Sequence, residues 1–194
     1  MNKIDYQTGD IGLSSSPSLP SKIILWFTSG HTQDAKKSHA YLMGDEELVV
    51  EPLASGKICI NDVSEYENVE HSVYRLSLTS VDKRRLKFGI IGEVNKGYGF
   101  TKLPLFVLDS MATKILSLFG RKTPVFFFTK YFGISSFKVC SQFVVWAIHK
   151  FTNYRLRDQN GAIVNWRTVS PDRLEDLLKL PINEAVLIHS QEAI

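Results

Sequence analysis

Two short strand-like segments joined by a tight turn constrain this chain more than any other feature. His39–Met43 and Leu48–Glu51 each have strand length and apolar content, and Gly44-Asp45-Glu46 supplies the turn. In an antiparallel pair, the start of one strand lies beside the end of the next. The hairpin therefore brings His39 and Glu51 close together. Register decides whether they meet, because a slip of one residue would turn Glu51 to the other face.

Around this hairpin the first half of the chain reads as strands. A short strand follows Gly9-Asp10-Ile11, and the Ser/Pro-rich loop Ser14–Ser21 ends it. Lys22–Phe27 is apolar, and its length does not decide between helix and strand. Further strands are predicted at Ile58–Ile60 and at Ser72–Leu78, where the residues alternate with period two. The second half reads as helices. Ser80 is placed to cap one that carries Leu86, Ile90, Ile91 and Val94 on one face, with Gly97 as its stop. Pro104 opens a second, lined by Leu105, Leu108, Ala112, Ile115 and Phe119. Cys140, Val144, Ala147, Ile148 and Phe151 share a face of a third, with Ser135 and Ser136 ahead of it. Ser170-Pro171-Asp172 opens a last helix, and Ala185–His189 a last strand. Strands first and helices after predict an α+β fold, with a small antiparallel sheet packed against helices in a single domain over residues 1–194.

Composition narrows the function classes. The chain is 44% hydrophobic and 22% charged, ordinary globular usage, and its formal charge of +3 is modest for a nucleic-acid binder. No nucleic-acid partner is expected. Two cysteines, Cys59 and Cys140, are too few for a disulfide framework and lack zinc-site spacing, so free thiols are the default and no metal or organic cofactor is indicated. The opening MNKIDYQTGD has no apolar core after its basic residue. The most apolar stretch, Leu103–Phe128, is broken by charges and prolines, short of the roughly 18 uninterrupted residues of a membrane span. A cytoplasmic protein is expected, with delivery to the cell envelope requiring another route.

The residues with chemical potential are Cys140, His39 and Glu51. A thiol becomes a strong nucleophile as thiolate, and both a helix N-terminus and a nearby imidazole lower its pKa. Cys140 stands at the start of an apolar helix, where exposed backbone N–H groups also suit an oxyanion. His39 opens a strand directly after the polar loop Asp34–Ser38, and Glu51 is placed to orient it. Each has a plain reading as well. Cys140 alone reads as a small buried hydrophobe, His39 as a satisfied strand residue, and Glu51 as a charged strand end. His31 competes with His39 but sits in a loop. Cys59 reads as structural.

Several segments in order resemble one family. Gly9-Asp10-Ile11, Ser38-His39-Ala40-Tyr41-Leu42, Val49-Val50-Glu51-Pro52, Gly97-Tyr98-Gly99-Phe100, Cys140-Ser141-Gln142-Phe143-Val144 and Ser170-Pro171-Asp172-Arg173-Leu174 resemble the circularly permuted, NlpC-type branch of the papain-like cysteine hydrolases, the YiiX-like group. The resemblance runs from Gly9 to Leu174. It implies a permuted papain-like fold, with Cys140 as nucleophile, His39 as general base and acid, and Glu51 as the orienting residue. Gly99 departs from the pattern, standing where an aspartate is frequent, which bears on substrate specificity.

The resemblance implies a cysteine amidase or endopeptidase working through a thioester on a peptide or peptidoglycan-like substrate. Tyr98, Ser141 and Asp10 are the candidates to line the substrate cleft. Related permuted members act on lipid acyl groups, and the apolar stretch Leu103–Phe128 keeps a lipid acyl hydrolase or acyltransferase, with lipid or membrane-surface contact, as an alternative. A binding module that retains the fold and buries Cys140 is the non-enzymatic alternative.

Overall fold

The computed structural model describes residues 5–15, 37–53, 57–97 and 140–191. Lys22–Phe27, His31, Tyr98, the helix expected from Pro104, the stretch Leu103–Phe128, and Ser135 and Ser136 lie outside the described residues.

Strands β1 (Ile11–Ser15), β2 (His39–Met43), β3 (Leu48–Pro52), β4 (Ile58–Asp62), β5 (Glu70–Arg75) and β6 (Val186–Gln191) form one sheet in the order β4-β3-β2-β1-β5-β6. Every neighbouring pair is antiparallel. Among the described residues three α-helices accompany it: α1 (Ser80–Ile91), α2 (Cys140–Phe151) and α3 (Pro171–Lys179). The fold is α+β, as the segregation of patterns along the chain predicts. No helix among the described residues is long and apolar enough to cross a membrane.

Strand alternation sorts the side chains between two faces. Ile11, Leu13, Ala40, Leu42 and Val50 join a core with Leu86 and Ile90 of α1 and Phe143, Val144, Ala147 and Ile148 of α2. Tyr41, Met43, Val49 and Val73 form a second cluster with Tyr6 and Tyr66. Both faces are covered, so the inner strands are buried along their length. Each large apolar side chain fully buried here contributes about 1.5–3 kcal/mol. At Gly89 of α1 the Phe151 ring lies so close that a Cβ would come within 2.4 Å of it, which locks α1 against α2.

Element boundaries depart from the sequence reading where tertiary pairing overrides local preference. Ser14 and Ser15 belong to β1 and not to a loop, because both pair with β5 and Ser14 also pairs with His39. β4 runs two residues past Ile60, opposite Leu48 and Val49. β5 begins at Glu70 and stops at Arg75, its last pair with β6 and one residue past its last pair with β1. The N-cap of α1 is Thr79, whose hydroxyl accepts from the Asp82 N–H at 3.1 Å and donates to the Asp82 carboxylate at 2.9 Å. The helix closes at Gly92, and Gly97 instead bridges Lys57. At α3, Ser170 caps the Arg173 N–H as expected. The last strand is shifted to Val186–Gln191.

Candidate active site

The start of β2 is pinned from three directions. The Ser38 N–H donates to the Ser14 carbonyl at 3.0 Å. The Lys37 N–H donates to Asp172 Oδ1 at 2.9 Å, at the N-terminus of α3. The Lys37 ammonium pairs with Glu70 Oε1 at 2.9 Å. His39 is the next residue after this anchored corner. The β2–β3 ladder pairs Leu42 with Val50 and Met43 with Val49 and stops there. The Ala40 N–H therefore has no ladder partner on β3, and it donates to the Cys140 sulfur.

Cys140 is the first residue of α2, and the first turn is tethered by its neighbours. Ser141 donates its hydroxyl to the Val169 carbonyl at 2.7 Å, and Gln142 donates its amide to the Arg167 carbonyl at 2.8 Å. These bonds set the helix end against the start of β2. The Cys140 thiol meets His39 there and also receives the Ser141 backbone N–H.

His39 Nε2 lies 2.5 Å from Glu51 Oε2. That leaves Nδ1 as the ring nitrogen for Cys140. Glu51 is 1% exposed, and both its carboxylate oxygens accept hydrogen bonds. Tyr66 donates its hydroxyl to Oε2 at 2.5 Å, and Asn61 donates its amide to Oε1 at 2.8 Å. Glu51 pairs with Cys59 across β3 and β4, so Asn61, two residues on, shares its face. Tyr66 arrives from the 3-10 turn Val63–Tyr66 that follows β4. Its ring stacks on Tyr41 at 4.2 Å between centroids. Tyr41 in turn lies over Gly12, where a Cβ would come within 1.9 Å of the ring.

The electrostatics follow from this geometry. Burial pushes the His39 pKa down, but the hydrogen bonds and charges of Cys140 and Glu51 outweigh it and raise it to about 10. Burial pushes the Cys140 thiol up, and the His39 bond and charge with the Ala40 and Ser141 N–H groups bring it below its ordinary value. Burial likewise opposes charge on Glu51, and His39, Tyr66 and Asn61 reverse it. Such a triplet favours thiolate, imidazolium and carboxylate together.

Of the residues singled out in the sequence, Cys140, His39 and Glu51 are brought together. Ser141 is fully buried with its hydroxyl bound to Val169, so it anchors the helix and does not face a cleft. Asp10 is placed elsewhere. It sits at the far end of β1 from the Ser14–His39 pair, four residues or about 14 Å away along a strand. Arg75 donates to both its oxygens, at 2.9 and 2.7 Å, and the Gln7 N–H to one of them at 2.8 Å, which makes it a turn-shaping residue. Tyr98 lies outside the described residues. Asn61 and Tyr66 escaped the sequence reading. A β4 two residues longer would have flagged Asn61, whereas nothing local marks Tyr66.

No family model matches the chain. No curated protein matches it. Among solved structures, the crystal structure of the metalloprotein YiiX from Escherichia coli O157:H7 matches with a TM-score of 0.52 over 97% of this chain and 91% of that one, at 17% identity. The fold is YiiX-like. At that identity the likeness speaks for the fold alone. Among the described residues, no group of three or more His, Cys, Asp or Glu side chains is arranged to hold a metal ion. Cys59 and Cys140 are both free.

Proposed function

We propose that this chain is a cysteine-dependent amide hydrolase with a permuted papain-like arrangement, His39 and Glu51 preceding Cys140. The observation that carries the reading is the short contact between His39 Nε2 and Glu51 Oε2, with the Cys140 thiol on the other side of the same ring. The Cys140 thiolate attacks an acyl carbon and forms the C–S bond. The Cys140 backbone N–H, in the first turn of α2, is the expected donor to the oxyanion. His39 gives its proton to the departing amine as the C–N bond breaks. Water then attacks the thioester, His39 takes a proton from it, and the acid and the thiol are released. The acyl donor expected from the family resemblance is a peptide or peptidoglycan-like amide.

The test uses p-nitrophenyl acetate as a generic acyl donor. Mass spectrometry should find one acetyl group on Cys140 in the parent, and none in Cys140→Ser or His39→Ala. A thiol that takes no acetyl group and reacts with iodoacetamide no differently after His39→Ala would overturn the reading and leave a binding module with a buried cysteine.

A further inference from the structure

Three donors converge on the Glu51 carboxylate, and two of them come from outside the expected trio. His39 and Tyr66 share Oε2, each at 2.5 Å, while Asn61 occupies Oε1 at 2.8 Å. A carboxylate buried this deeply would otherwise take up a proton, since burial disfavours its charge. The proton nearest to hand is the one on His39 Nε2. Were it to pass to Glu51, imidazole and carboxylic acid would both be neutral, and the Cys140 thiolate would lose its counter-charge. Hydrogen bonds to the charged form of a carboxylate favour that form.

We infer that Tyr66 is a positioning residue of this site: its hydroxyl on Oε2, seconded by the Asn61 amide on Oε1, keeps the shared proton on His39 and so holds Cys140 as thiolate. This rests on the triad proposed above. Tyr66 is suited to the task by its surroundings. It is 8% exposed, its ring is stacked on Tyr41, and Tyr41 is seated over Gly12. The hydroxyl is therefore delivered by packing and not by a mobile chain. The Asp62 side chain caps the turn that carries it, accepting from the Ser64 N–H at 2.8 Å.

The test is the pH dependence of iodoacetamide alkylation of Cys140 in a Cys59→Ser background, with Tyr66→Phe, Asn61→Leu and His39→Ala compared with the parent. Tyr66→Phe keeps the ring and removes one donor. The thiol pKa read from the profile should rise by about one unit, which slows alkylation by about tenfold at pH values below the parent's thiol pKa, while the rate at high pH is kept. Asn61→Leu should shift the profile in the same direction by less, and serves if Tyr66→Phe does not fold. A lower melting temperature with an unmoved alkylation profile would overturn the inference and leave Tyr66 as a packing residue. If the parent itself shows no lowering of the Cys140 thiol pKa and no response to His39→Ala, the triad and this inference fail together. If the parent shows both and the donor variants change nothing, only this inference fails.

Discussion

His39 and Glu51 face each other across the β2–β3 hairpin, Nε2 to Oε2 at 2.5 Å, although the ladder between their strands ends before it reaches either. The two side chains meet where backbone pairing stops. The gap left by the missing pairing is where the Ala40 N–H turns to Cys140. The same split in the sheet thus supplies both an imidazole and a backbone donor to one sulfur.

Removing the charge at Glu51 should be felt at Cys140. Glu51→Gln keeps the volume and an acceptor for His39 but no negative charge. The His39 pKa should fall and the thiol pKa rise, with alkylation at pH values below the parent's thiol pKa slowing by about tenfold for each unit of change. Following iodoacetamide alkylation by mass spectrometry checks this.

Stability should depend on pH in a defined sense. His39 has a raised pKa in the folded state, so its contribution is complete below its ordinary value of 6.5 and is lost as pH rises through about 10. Glu51 has a lowered one, so its contribution is present above 4.5 and is lost as pH falls through its folded value. Cys140 also has a lowered pKa in the folded state, so its contribution is present above its ordinary value of 9.0 and is lost as pH falls through its folded value. With His39 and Cys140 taken together, the melting-temperature gap between the parent and His39→Ala should be widest between about pH 6.5 and 9 and shrink as pH rises through about 10. A gap that keeps growing as pH rises past about 10 would contradict the pairing.

Gly12→Ala should damage the site from a distance. The new Cβ would sit 1.9 Å from the Tyr41 ring, displacing it and the Tyr66 stacked on it. Overpacking of this kind costs about 1–3 kcal/mol, readable in urea unfolding. The Cys140 thiol pKa should rise in the same variant, because Tyr66 loses its aim at Glu51.

Asp10→Asn should separate fold from site. It removes the charge that binds Arg75 through two oxygens, a charged hydrogen-bonded contact worth about 1.5–3 kcal/mol. Urea unfolding should register that loss. Alkylation of Cys140 should stay within about twofold of the parent, since the change lies well under one pKa unit. A large fall in alkylation would restore Asp10 to the cleft.

Much of the architecture was legible because it is local. The hairpin announced itself through its turn, the last helix through Ser170-Pro171-Asp172, and the apolar face of α2 through its spacing. Boundaries were less legible, since a strand ends where its neighbour ends. β5 begins two residues ahead of its alternating pattern, because His71, Ser72, Val73 and Tyr74 are all buried and alternation blurs when both faces are covered. Asp10 and Ser141 were legible as polar residues near marked positions but not in their duties, because Arg75 and Val169 lie 65 and 28 residues away.

The sequence by itself determined the α+β order of elements and the nearness of His39 and Glu51 across a short hairpin, while the register that turns both to one face was decided by the tertiary structure. Only the tertiary structure decided that Cys140, 101 residues beyond His39 in the numbering, reaches that pair, and that Tyr66 and Asn61 hold the carboxylate. The physical reason is that these contacts depend on where a helix end and a turn are packed against the sheet. That packing is fixed by the summed burial of side chains from distant segments, which no local pattern encodes.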